Sequence, residues 1–179
     1  MLIKWLQDDP VISKYIRASC SENNIEVTIS PEIDPSDILI IKVDAFYNEE
    51  IKNPEDPSPD CLIIQKCPTH FDIYIVELKN VCTPRNISQE NILGKFITCL
   101  DNFMSERYGN YFHHEDVEIN KLKLFFISDP YDFKNHPERQ LTMRGHKFDL
   151  LNSIRIPRFF NKHLYIEPRI PSPTIRKCA

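Results

Sequence analysis

Glycine is almost missing from this chain of 179 residues, which has three. A loop that cradles phosphate with its backbone needs several positions without a side chain, so Gly-rich nucleotide-binding loops are excluded. No Ser or Cys stands in a nucleophile elbow, which removes the commonest route to covalent acyl transfer. No apolar run is long enough to span a bilayer as a helix. Met1-Leu2-Ile3-Lys4-Trp5 meets Asp8 and Asp9 too soon for a signal peptide, so an intracellular protein, cytoplasmic or nuclear, is expected. The cysteines Cys20, Cys61, Cys67, Cys82, Cys99 and Cys178 form no C-x-x-C pair, and several lie inside apolar runs. That pattern predicts buried free thiols in preference to a disulfide framework or a zinc site. His113-His114-Glu115-Asp116 is rich in ligand atoms but has no second pair at zinc spacing, and reads as a solvated loop; His70 reads as a turn residue.

What is present is proline, at 14, and an uneven charge distribution. The net charge of −4 argues against generic nucleic-acid binding. Residues 145–179, however, hold seven basic residues against Asp149 and Glu167, a balance of +5 that leaves −9 for the remainder. A local basic surface can hold a polyanion on a protein that is acidic as a whole. The alternative is a solvated tail.

Asp9-Pro10 starts a predicted helix through Val11, Ile12, Tyr15 and Ile16 that ends near Asn23-Asn24. Ile25–Ser30 reads as a short strand and Asp37–Phe46 as a stronger one. After an acidic, Pro-rich loop, Cys61–Cys67 and Phe71–Asn80 read as two strands whose short connector, Pro68-Thr69-His70, makes an antiparallel hairpin. Both are apolar on both faces, as in the centre of a covered sheet. Ser88–Tyr108 is the best helix, with Ile92, Leu93, Phe96, Ile97, Leu100, Phe103 and Met104 as one stripe. Lys121–Ser128 is another buried strand, Lys147–Ile154 a short helix, His163–Ile170 a strand, and the Pro-rich end frays. There is no repeat and no linker. The order predicts a single α/β domain over 1–179 with a mixed sheet, its core at about 37–128 and a basic segment at about 145–179.

Asp60 stands where the first hairpin strand begins, and Glu77 and Lys79 where the second ends. An antiparallel hairpin makes those ends neighbours, and positions two apart share a face. Two carboxylates and an ammonium at the edge of a buried sheet are costly unless paired. A divalent cation held by Asp60 and Glu77 offsets that cost; hard carboxylate oxygens suit Mg²⁺, which accepts a phosphate oxygen as well. Lys79 then serves the attacking water or stabilises the phosphate.

Pro59-Asp60, sixteen intervening residues, then Glu77-Leu78-Lys79 resembles the PD-(D/E)XK nuclease superfamily, with the likeness running from about Asp37 to Ser128. The resemblance implies a restriction-endonuclease-like core, a mixed central sheet flanked by helices. It implies an Mg²⁺-dependent endonuclease hydrolysing phosphodiesters, with Mn²⁺ as a substitute, DNA as the favoured substrate over RNA, no membrane partner, and a homodimer. An RNA endonuclease or structure-specific resolvase on the same fold, and a catalytically degenerate binding module, are the rival readings. Members often carry a Gln in the following helix. Gln89 precedes Leu93 by four and Phe96 by seven, which puts it on the core-facing stripe; its other role is helix capping with Asn86. Glu90 is off the stripe and the weaker ligand. A further acid from the first helix region makes Glu22 a candidate, in competition with Asp44. Arg155, Arg158 and Lys162 are the expected phosphate contacts.

Overall fold

The computed structural model describes residues 1–52, 57–80, 87–129, 132, 135–136 and 151–178, the side chains of Pro157 and Arg158 excepted. Cys82, Asn86 and the 147–150 part of the expected short helix lie outside the described residues.

The predicted hairpin is the centre of the molecule. β5 (Cys61–Lys66) and β6 (Phe71–Leu78) pair antiparallel, and all eight residues of β6 are buried. Pro68 occupies the turn, where the Cys67 N–H donates to the His70 carbonyl at 2.8 Å. The fixed φ of proline suits a tight turn and prevents the strand from running on. Around this pair a mixed seven-stranded sheet forms. Its spatial order is β1 (Ile16–Arg17), β4 (Ile38–Lys42), β5, β6, β7 (Ile119–Ile127), β9 (Lys162–Arg169) and β8 (Arg155–Phe159). From β1 to β6 every pairing is antiparallel; β7 lies parallel to β6 and β9 parallel to β7, and β8 returns antiparallel. A parallel neighbour needs a crossover. The segment that supplies it contains α3 (Gln89–Ile97), its continuation as a π-helix (Thr98–Arg107), and α4 (Gly109–Phe112).

Residue parity divides the core in two. Leu39, Ile41, Leu62, Ile64, Ile73, Ile75, Leu124 and Phe126 face one side and pack with Ile92, Phe96, Leu100 and Phe103 of the long helix and with Leu2 and Leu6 of α1 (Leu2–Asp8). Ile40, Cys61, Ile63, Val76, Leu78 and Ile127 face the other side. There the cover is a three-stranded sheet, β10 (Thr174–Ile175), β3 (Ile25–Ile29) and β2 (Cys20–Glu22). The sheet is therefore mixed and covered on both faces, as the continuous apolar strands require. Among the described residues, though, its apolar cover is helical on one face and β on the other.

Several expectations are corrected. The first helix is Leu2–Asp8, ahead of the predicted one; Asp9 Oδ1 accepts from the N–H groups of Val11 and Ile12, both at 2.9 Å, and caps only a single 3₁₀ turn, Ile12–Tyr15. Ile16–Arg17 beyond it is extended because it pairs with β4. The strand read over Asp37–Phe46 stops at Lys42, and Val43–Phe46 is a short helix, α2. The Pro-rich end does not fray, because β10 pairs with β3. Four cysteines are not free thiols: Cys20 is bonded to Cys61 and Cys67 to Cys178, across 41 and 111 residues of sequence. Local spacing cannot show pairs that the sheet assembles. Cys99 is free and buried, as expected.

Candidate active site

The end of the β5–β6 hairpin away from its turn gathers the acids. The register Cys61↔Val76, carried one step further, sets Asp60 opposite Glu77. Asp60 Oδ2 accepts the N–H of Leu78 at 2.7 Å, which fixes the carboxylate across the strand end. The Asp60 carbonyl accepts the N–H of Val43 at 3.0 Å, and this anchors the start of α2 and brings Asp44 alongside. The Cys20–Cys61 disulfide joins β2 to the residue after Asp60 and brings Glu22 to the same place. Four elements thus deliver four carboxyls: Glu22, Asp44, Asp60 and Glu77.

Asp60 and Glu77 are buried, at 5% and 2% exposure, a setting in which charge is expensive. Two lysines offset part of it. Lys95 Nζ, from α3, donates to Glu77 Oε1 at 2.7 Å, and Lys42 Nζ lies 3.7 Å from Asp60 Oδ1 and 3.5 Å from Asp44 Oδ1. The compensation is incomplete. Burial first, and the neighbouring Asp60 second, push the Glu77 carboxyl up to about 8 despite Lys95. A hydrogen bond to Asp60, with burial and the Asp60 charge behind it, pushes Glu22 up to about 7. Asp44 is raised as well, by burial against the opposing pull of Lys42. Among the described residues the second Glu77 oxygen, Oε2, is buried with no hydrogen-bond partner. A hard divalent cation takes carboxylate oxygens of the kind gathered here. It would give Oε2 a partner, draw the raised acids into their ionised form, and take only oxygen ligands, as Mg²⁺ prefers.

The other anticipated residues divide. Lys79 extends the β6 ladder, its N–H donating to the Ile127 carbonyl at 3.0 Å, so it shares the Glu77 face; among the described residues its ammonium forms no ion pair. Lys95, not Lys79, holds Glu77. Gln89 is exposed, contrary to the core-facing position read from its spacing, and so is Glu90. Gln89 opens α3 behind Ser88, whose Oγ accepts the Asn91 N–H at 3.3 Å, and the buried stripe begins only at Ile92. Glu22 is on a strand, not at a helix end.

Arg155 is exposed on β8, paired with Tyr165, and Lys162 opens β9. Because Phe126, the partner of Glu77, is level with Pro168, Lys162 stands six residues, roughly 20 Å, down the strand from the acids. The side chain of Arg158 lies outside the described residues. Arg155 and Lys162 border the sheet and do not surround the acids.

Lys42 and Lys95 escaped the sequence reading. Lys95 had a faint signal, a cation three residues after Ile92 and next to Phe96 on the edge of an apolar stripe; Lys42 had none beyond ending a strand. No family model, no curated protein and no solved structure matches the chain.

Proposed function

We propose that this protein is an Mg²⁺-dependent endonuclease of restriction-endonuclease-like fold that hydrolyses DNA phosphodiester bonds, with Mn²⁺ as a substitute. The observation that carries the reading is the buried pair Asp60 and Glu77, opposed across the hairpin, with Glu77 Oε2 unpartnered among the described residues and Glu22 and Asp44 alongside. The element order also supports it: three strands, a long helix and a further strand in a mixed sheet are the order that the PD-(D/E)XK resemblance implies.

A divalent cation bound by these acids supplies charge neutralisation of the scissile phosphate and acidifies water. The remaining work belongs to the chain. Asp60 and Glu77 bind the cation. Lys95 holds Oε1 of Glu77 and leaves Oε2 for it. Lys79, on the same face, orients the attacking water and stabilises the charge that gathers on the phosphate. Asp44 and Glu22 complete the anionic cup, and Lys42 holds Asp44 against Asp60.

The test is a cleavage assay on duplex, single-stranded and branched DNA and on RNA, with Mg²⁺ or Mn²⁺. DNA should be cut, and Glu77→Ala should slow cutting by at least about a hundredfold while the variant stays folded. Lys79→Ala should lower the rate without changing cation affinity, whereas Lys95→Ala should weaken the cation as well. No cleavage of any substrate by the wild type, or equal rates in Glu77→Ala, ends this reading; preferential cleavage of RNA or of branched DNA moves the substrate but keeps the site.

A further inference from the structure

At the opposite end of the same hairpin, four different ligand groups meet. Cys67, His70, Asp72 and Cys178 each present a ligand atom within 4.8 Å of the other three. The first three come from the turn and the start of β6, and the last from the C-terminal segment, 111 residues later. We propose that, once a thiol reductant has delivered two electrons and two protons to the Cys67–Cys178 disulfide and left two thiols, these residues form a zinc site that ties the C-terminal segment to the β5–β6 turn.

The donor set selects the metal. Two thiolates and an imidazole suit Zn²⁺, a borderline-soft cation that takes four ligands in a tetrahedron, and do not suit Mg²⁺. Metal–ligand bonds of about 2.0–2.3 Å put tetrahedral ligands roughly 3.3–3.8 Å apart, so four atoms already inside 4.8 Å need only small side-chain shifts. The neighbours of the ligands are also placed for this. His70 Nε2 lies 3.4 Å from Asp72 Oδ1 and 3.4 Å from Asn120 Nδ2, while Nδ1 lies 3.2 Å from Thr69 Oγ1. A proton on Nδ1, donated to Thr69, leaves Nε2 as the lone-pair donor. Asp72, 1% exposed, accepts the Lys121 N–H at 3.2 Å and its ammonium at 2.9 Å. Two thiolates and one carboxylate around Zn²⁺ carry one net negative charge, and Lys121 balances it. The disulfide and the zinc site are alternative states of the same two sulfurs, and either one holds the chain end in place.

The site is independent of the acids. Asp60 precedes the six residues of β5 and Cys67 follows them, a span of roughly 20 Å. It also explains why a search for C-x-x-C or paired histidines misses it: the local part is C-x-x-H-x-D, and the fourth ligand comes from the far end of the sequence.

The experiment uses the full chain, stripped of metal and kept reduced, titrated with Zn²⁺ alone and, in parallel, with Co²⁺ as a spectroscopic probe. The wild type should bind zinc and, with cobalt, show thiolate charge-transfer bands and d–d bands of tetrahedral intensity. Cys178→Ser and His70→Asn should each weaken zinc at this site by more than the ~10–100-fold that loss of an outer-shell partner costs. Glu77→Ala should keep the cobalt spectrum, which separates this site from the proposed nuclease centre. The oxidised chain should lose the bands. A reduced wild type without thiolate–cobalt bands overturns the proposal. So does a spectrum that persists in Cys178→Ser, or one that disappears in Glu77→Ala. The wild-type spectrum decides the matter even if a variant fails to fold.

Discussion

At Glu77 one oxygen is held by Lys95 and the other, among the described residues, is buried without a partner; burial, with the Asp60 charge beside it, leaves a carboxyl that keeps its proton near neutrality. The consequence for stability has a definite sign. The unfolded chain releases this proton near the ordinary value of 4.5, and the folded chain near about 8. Between those values the folded form binds more protons, so stability falls as pH rises. Glu22 and Asp44, also raised, act in the same direction. Glu77→Gln, which imitates the protonated acid, should therefore match the wild type below about pH 4.5 and exceed it by ~1–3 kcal/mol above about pH 8, measured by metal-free denaturation across that range. Cation binding runs the other way. It expels the retained protons, so Mg²⁺ or Mn²⁺ affinity should climb through about pH 7 to 8, by up to about tenfold per unit for each proton released. Calorimetry showing the same affinity at about pH 6 and pH 9 would contradict the assignment of these acids as ligands.

At the level of elements, the helix after β6 and the strands around Asp60 do different jobs. Ser88 caps α3, and the buried Ile87 and Ile92 flank that cap in the N′ and N4 positions of a hydrophobic staple. The capped turn stops short of the core, which is why Gln89 and Glu90 are exposed, while Lys95, about two turns along, reaches Glu77. Gln89→Ala should accordingly leave both stability and cleavage rate within about twofold of wild type, and Ser88→Ala should cost about 1 kcal/mol by loss of the cap. A strong rate loss in Gln89→Ala, read in the same cleavage assay, would put the helix start back into the site. The apolar spacing was legible in Ser88–Tyr108, but the turn on which a polar residue becomes exposed depends on where the helix meets the sheet. Cys99, seven residues after Ile92 and three after Phe96, is buried on the same stripe, and Ile97 lies at its margin.

Over the whole molecule, Arg155 and Lys162, two of the basic residues of the last 35, do not collect around the acids. Arg155 and Lys162 lie on the β8–β9 hairpin, which forms one border of the sheet. If that border carries DNA backbone, neutralising Arg155, Arg158 and Lys162 together should lower the slope of log affinity against log salt by up to about 0.9 for each phosphate that is no longer neutralised. It should do so for all DNA sequences alike and without change in cation affinity. The measurement is a salt titration of DNA binding in Ca²⁺, which holds the complex without cleavage. An unchanged slope would leave these residues as a solvated margin.

The sequence by itself determined the hairpin and the meeting of Asp60 with Glu77. Strand pairing across a short turn is a local rule, and its register follows once the apolar runs and Pro68 are placed. It determined the long helix and the buried β7 for the same reason, because periodicity is written within one element. Tertiary structure alone decided which cation holds Glu77, which of Glu22, Asp44 and Glu90 joins the acids, that the cover of the second face is a small sheet, and that Cys67 meets Cys178. Each of these joins residues from separate elements, whose approach is set by the packing of the whole core and by no spacing along the chain.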